Sequence, residues 1–200
     1  PSTVMVGSDG LVDPADIAAA IRSDTKLVSI ALVNHEIGVI QPIAEIAQVC
    51  HAEGVLVHTD CAQALGKVTI DLGALGVDLA SFSAHKAYGP MGIGGLFVRR
   101  GVELKPLITG GGQEMGLRAG TVPLPLAVGF GLAARFARQE VEADTARIGL
   151  LRDHLIARLR IGIPGLSVNG SMNARIAGNL NLTVPTVDAE ALLLEIPDVA

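Results

Sequence analysis

From Val28 to Val33 the sequence reads VSIALV, an apolar run broken only by Ser29. A run this short and this apolar fits a strand of a parallel sheet, buried on both faces. A helix signal precedes it. Asp13 stands as the capping acid, Pro14 occupies the first helical position, and Ile17, Ala20 and Ile21 follow on one face. Pro42 opens a second helix, with Ile43, Ile46, Ala47 and Cys50 at helical spacing and Gly54 to end it. Val55-Leu56-Val57 starts the next strand, which runs into His58-Thr59-Asp60, and Leu79–Ser83 and Ile93–Val98 read as two more. Strand and helix alternate, so the fold class is α/β.

After Thr121 the pattern changes. Val122 to about Arg160 is helical in character and is expected as two segments; Leu166–Val168 and Asn179–Val184 read as strands of a different sheet, and Asp188–Glu195 as one more helix. A domain boundary is expected near Glu142, dividing residues 1–142 from 143–200. The chain opens Pro1-Ser2-Thr3 and closes Ile196-Pro197-Asp198-Val199-Ala200, and both ends read as cut.

Composition narrows the function classes. Half of the 200 residues are hydrophobic and 18% are charged, which excludes a disordered chain. Fifteen basic against twenty acidic side chains give a net charge of -5, and no basic patch carries interleaved aromatics, so direct nucleic-acid binding is not expected. Cys50 and Cys61 form no CxxC pair and are too few for a disulfide framework, so no metal is expected and a reducing, cytoplasmic setting is. Every apolar run is interrupted before it reaches membrane-span length, so no membrane is expected as a partner.

The stretch richest in chemistry is SFSAHKAYGPMGIGG, Ser81–Gly95. An apolar strand ends in Ser83, His85 and Lys86, then enters a loop with four glycines in seven residues. In a regular strand Ser83 and His85 share one face and Lys86 points to the other. For all three to meet one ligand, the backbone must leave strand geometry near His85, and the Gly and Pro that follow permit it. A lysine so placed can form a Schiff base with an aldehyde cofactor. Lysine amines are protonated at neutral pH, so that chemistry needs surroundings that favour the neutral or imine form. The same residues also fit a solvated lysine beside a glycine-rich turn.

Asp60 ends a strand and so lies at the carboxyl edge of the sheet, where open α/β folds bind ligands. A pyridoxal ring needs a carboxylate on its nitrogen, and Gln63 falls on the same side if a helical turn follows. Asp-x-x-Gln equally describes a helix cap. Asn34 opens NHEIGVIQP at the end of the Val28–Val33 strand, where its amide can reach a ring oxygen or substrate carboxylate, or can simply form a turn. In GGGQEMGLRAGT the final Arg-x-Gly-Thr is read at the start of a long helix, where Thr121 can meet a phosphate or merely cap the helix. Three of these groups fall at three strand ends, and that convergence makes a site.

The order NHEIGVIQP, HTDCAQALGK, SFSAHKAYGPMGIGGLFVRR and GGGQEMGLRAGT resembles the cysteine desulfurases of the class V aminotransferase group, with pyridoxal-phosphate fold type I. The resemblance covers nearly the whole chain and is strongest from Val28 to Gly131. It implies part of the pyridoxal-phosphate-binding large domain, a mostly parallel sheet between helices, followed by the beginning of a small α+β domain. It implies that Lys86 holds pyridoxal 5'-phosphate and later moves the substrate α-proton. Asp60 pairs with the ring nitrogen, Gln63 with the ring hydroxyl, and Ser83 and His85 with the phosphate. Asn34 lies near the ring oxygen and the substrate carboxylate, and Thr121 reaches the phosphate of the other subunit in a homodimer.

The reaction so implied converts L-cysteine to L-alanine and leaves sulfur as a persulfide for a sulfur-acceptor protein, such as an iron–sulfur scaffold. In the family the nucleophilic cysteine sits in a loop beyond Ala200, and neither Cys50 nor Cys61 takes its place, so the isolated chain is expected to be inactive. Selenocysteine lyase, another class V enzyme or a non-catalytic truncated fragment are the alternative readings. Met91 and Met115 stand where the family often carries a basic residue.

Overall fold

The computed structural model describes residues 1–196; the carboxyl end, read above as cut, lies outside them from Pro197 onward. Helix α1 spans Pro14–Ala20, capped by Asp13, whose carboxylate accepts from Ala15 N at 2.8 Å. Strand β1 (Leu27–Ala31) leads to α2 (Ile43–Ala52), β2 (Leu56–Asp60), the short α3 (Leu72–Leu75), β3 (Leu79–Ser83) and β4 (Gly94–Val98). The sheet order is β1-β2-β3-β4, parallel across the first three strands and antiparallel at β4. The α/β class and the mostly parallel sheet are therefore as expected. The one-turn α3, absent from the sequence reading, is capped by Asp71, which accepts from Ala74 N.

The core lies on one face of this sheet. Ile43, Ile46, Ala47 and Cys50 of α2 pack with Ile17 of α1 onto Val57, Val77 and Ala80. This is the face that the helical spacing of Ile43, Ile46 and Cys50 anticipated. The opposite face is different. Along β1 side chains alternate between exposed and half-buried, and Leu27 and Leu56 are exposed. Ser29, His58 and Ser81 form a polar ladder across that face: Ser29 Oγ lies 2.8 Å from His58 Nδ1, and His58 Nε2 lies 3.2 Å from Ser81 Oγ. Burial on both faces, expected for Val28–Val33, holds only at Leu32 and Val33, because the helices described above pack on the other side.

Helix α4 runs unbroken from Leu124 to Gly162, 39 residues, where two segments were expected. Its one internal proline, Pro125, stands in the first turn, where a missing N–H costs nothing. Its interior glycines each weaken the helix by only ~1 kcal/mol. The boundary expected near Glu142 falls inside this helix. Beyond it β5 (Ser167–Val168) and β6 (Leu182–Thr183) pair antiparallel, apart from the main sheet, and α5 spans Ala189–Glu195. No described helix is long and apolar enough to cross a membrane.

Candidate active site at the carboxyl edge of the sheet

The site is built where β1, β2 and β3 end side by side. Ala31 pairs with Asp60, and Asp60 pairs with Ser81. Neighbouring strands lie ~4.8 Å apart, so Asp60 emerges between the continuations of β1 and β3. The first continuation carries Asn34 and the second carries Ser83, His85 and Lys86.

The chain leaves strand geometry where the sequence demanded it. Ala84–Ala87 form one turn of 3-10 helix directly after β3. Ser83 Oγ and His85 Nδ1 are 3.1 Å apart, while Lys86 turns into a cleft. Tyr88 closes the turn in a left-handed conformation (φ 59°), a strained state for a bulky residue, and Gly89 N donates to Ala84 O at 2.9 Å. A side chain at Gly89 would put its Cβ 2.9 Å from that same oxygen, so glycine is required for the loop to fold back.

Asp60 is exposed, and its Oδ1 accepts from Ala62 N at 2.8 Å, the local capping contact weighed above. Consecutive turns follow, with Ala64 N and Leu65 N both donating to Cys61 O. They place Gln63 in the same cleft as Lys86. This cleft, of about 780 Å³, is lined also by His35, Lys67 and residues of α4. Gly66, at φ +75°, lets α4 approach: an added Cβ there would lie 3.3 Å from Ala137 Cβ.

Asp60, Ser83 and His85 stand at or just past their strand ends without lining this cleft, and Asn34 and Thr121 lie outside it too. Asn34 Oδ1 accepts from Glu36 N and Ile37 N, each at 2.9 Å, so its oxygen serves the turn it opens. That turn is braced from β6's approach, since Asn179 Nδ2 and Asn181 Nδ2 both donate to Glu36 O. Thr121 is exposed and does not line the Lys86 cleft. It also lies outside the long helix, which starts at Leu124 with Pro123 as its cap, and Pro123 in turn disfavours helical geometry at Val122.

The residues fit a pyridoxal phosphate in kind: a primary amine and an amide share one cleft, a carboxylate ends the adjacent strand, and a hydroxyl–imidazole pair immediately precedes the lysine in the chain. Neither cysteine offers a nucleophile. Burial, then the charge of Asp60, pushes the Cys61 thiol up to about 12. Burial, then Asp78, raises Cys50 as well. Both stay protonated and inert at neutral pH.

The sequence reading passed over two site features. Lys67, inside the quoted HTDCAQALGK, donates a hydrogen bond to Gln63 Oε1. Arg175 is buried and donates to Asn179 Oδ1 at 2.8 Å and to Ser171 O at 3.1 Å, holding the segment that braces the Asn34 turn. A lysine four residues after Gln63 was the only available signal for the first, and nothing local signalled the second.

A protein-family model for aminotransferase class-V matches residues 2–197. Among curated proteins, the chain is 50% identical over 197 residues to a probable mitochondrial cysteine desulfurase of Dictyostelium discoideum, covering 98% of this chain and 44% of that protein. It is 48% identical over 198 residues to cysteine desulfurase IscS of Ehrlichia chaffeensis, covering 98% and 48%. Among solved structures, a NifS-like protein superposes with a TM-score of 0.92 at 35% identity, over 98% of this chain and 54% of that one. The chain spans about half the length of the curated relatives it matches.

Proposed function

The chain belongs to the aminotransferase class-V family, and on that premise we propose that the full-length protein is a cysteine desulfurase working with pyridoxal 5'-phosphate. The fold is that of the pyridoxal-phosphate fold type I proteins. One observation carries the functional reading: Lys86 and Gln63 line a single cleft, while Asp60 ends the strand beside the one that delivers Lys86.

Pyridoxal phosphate, when bound, supplies an electron-poor ring that draws charge from the substrate's α-carbon. Lys86 holds the cofactor and moves the proton at that carbon. Asp60 keeps the ring nitrogen protonated by opposing it with a carboxylate. Gln63 serves the ring hydroxyl, and the Ser83–His85 pair supplies donors for the phosphate. Asn34 faces the ring oxygen and substrate carboxylate with its amide nitrogen, since its oxygen is engaged by the turn. Thr121, exposed on the loop before α4, serves the phosphate of a second subunit in a homodimer, as the family resemblance implies.

In the net reaction the Cβ–S bond of L-cysteine breaks, its sulfur joins the thiol of an enzyme cysteine as a persulfide, and L-alanine leaves. That thiol is neither Cys50 nor Cys61, since both are buried and their acidity is suppressed. The persulfide then passes to an acceptor protein such as an iron–sulfur scaffold in the cytoplasm. Residues 1–142 belong to the cofactor-binding domain and 143–200 begin the small one, so α4 is a spine shared by both.

The test is direct. The full-length protein, given pyridoxal phosphate and L-cysteine, should release alanine and sulfide in the presence of a thiol reductant. A Lys86→Ala protein that kept both the cofactor's visible absorption and this turnover would overturn the assignment.

A further inference from the structure

Lys67 sits in the same cleft as Lys86 and Gln63. Among the described residues its ammonium forms no ion pair, although Glu140 and Asp144 of α4 line the cleft too. Its side-chain partner is instead the amide of Gln63, four residues earlier, brought round by the turns after Cys61 and the left-handed Gly66. A lysine ammonium can only donate, so the Gln63 atom that faces it is the carbonyl oxygen. The amide nitrogen must then point the other way. Burial and then the nearby charge of Lys86 hold the Lys67 amine below its ordinary range, so keeping a lysine here carries a cost.

We propose that Lys67 is a positioning residue: by engaging the Gln63 oxygen it leaves the Gln63 N–H as the group offered to the ring oxygen of the bound cofactor. This rests on the reading of Gln63 as the ring-hydroxyl partner. Without Lys67 the amide can flip and present its oxygen to an oxygen, which is repulsive. With Lys67 the amide is also polarised, and hydrogen bonds in a chain strengthen one another. A donor to the ring oxygen, backed by a cation, draws charge off that oxygen and so loosens the proton it shares with the neighbouring nitrogen. Loss of Lys67 therefore raises the pH at which the cofactor's visible absorption titrates.

The experiment compares Lys67→Met, Lys67→Arg, Gln63→Leu and the Gln63→Leu/Lys67→Met double variant of the full-length protein loaded with pyridoxal phosphate. The readouts are the pH midpoint of the visible band and the cofactor dissociation constant. Lys67→Met should raise the midpoint and weaken the cofactor about three- to tenfold, the worth of one ordinary hydrogen bond, since the charge acts on the cofactor only through the Gln63 amide. Lys67→Arg, which keeps the charge and the donor, should restore both. In the Gln63→Leu background the Lys67→Met change should shrink to little or nothing. If Lys67→Met does not fold, Lys67→Gln carries the same comparison. A midpoint and affinity unmoved by Lys67→Met overturn the inference, and so does a Lys67→Met effect of full size in the Gln63→Leu protein. An unsubstituted protein with no visible band overturns the cysteine desulfurase reading and this inference with it.

Discussion

Asp60 and Ser81 are register partners across the parallel strands β2 and β3, and Cys61 N donates to Ser81 O at 2.8 Å to extend the pairing by one step. Two residues past Ser81 the second strand ends at Ser83, and the 3-10 turn with Lys86 begins. The carboxylate and the amine thus leave the sheet from adjacent strands, tied by backbone bonds rather than by a flexible loop. Rigid delivery of a carboxylate and an amine to one edge is what the proposed cofactor site requires.

Asp60→Asn follows from that pairing. The neutral amide keeps the local cap to Ala62 N but cannot oppose a ring cation. We expect the variant to fold and to take up pyridoxal phosphate, with kcat/KM for alanine formation lowered about 100- to 1000-fold. Turnover near that of the unsubstituted enzyme would remove Asp60 from the ring.

Ser83 and His85 make a second case. Their 3.1 Å contact lies on the entry side of the turn that carries Lys86, and under the proposed function they anchor the cofactor and do not act on the reacting carbon. Ser83→Ala should raise the cofactor dissociation constant about 10- to 100-fold, the worth of one hydrogen bond to a charged phosphate, with kcat at saturating cofactor nearly unchanged. Equilibrium dialysis against pyridoxal phosphate and saturation kinetics separate the two effects.

The strand ends, the 3-10 departure at Ala84 and the edge position of Asp60 were legible because each depends on neighbours in the chain. The Val28–Val33 run was not fully legible. An apolar hexamer states that burial is available, but not which face the flanking helices α1 and α2 cover, and here β1 stays open on the other side. Two helical segments were expected where α4 runs unbroken, and its interior glycines cost the helix little. Thr121 was placed on that helix because Arg-x-Gly-Thr suggests a start, whereas Pro123 and Pro125 set the start three residues later. Lys67 stood in plain view, but its bond to Gln63 exists only through the turn at Gly66.

Cys61 gives a prediction in pH. Burial, then Asp60, raises its folded pKa to about 12, above the 9.0 of an unperturbed thiol. Between those values the folded state keeps a proton that the unfolded state releases, so folding stability falls as pH rises. The contribution is whole below pH 9 and fades toward 12. Denaturant titrations above pH 9 should show a shallower decline in Cys61→Ala than in the parent protein. Iodoacetamide at pH 8 should leave Cys61 unmodified in the native protein and alkylate it in denaturant, read by peptide mass spectrometry. Native alkylation of Cys61 at the unfolded rate would contradict its burial.

Asp78 marks the opposite, amino-terminal edge of the sheet, and there its role is structural. Its side chain is 6% exposed, with Oδ2 accepting from Val57 N at 2.7 Å and lying 2.8 Å from His51 Nε2, while Oδ1 is 3.5 Å from Arg99. Its own backbone N donates to Val57 O and its carbonyl accepts from Arg99 N. One residue thereby fastens the end of α2, the start of β2 and the end of β4. Asp78→Ala strands the buried Val57 N–H and takes the carboxylate partner from His51 and Arg99, so it should cost about 3–5 kcal/mol in denaturant titration of the full-length protein. Asp78→Asn keeps an acceptor for Val57 N and should cost clearly less. His51→Ala and Arg99→Ala, at more exposed partners, should each cost about 1 kcal/mol or less. Because the lysine cleft lies at the other end of the strands, kcat per folded enzyme should be unchanged in Asp78→Asn. A loss of turnover there without a loss of stability would mean that this edge of the sheet acts on the chemistry, contrary to the placement of the site at the carboxyl ends.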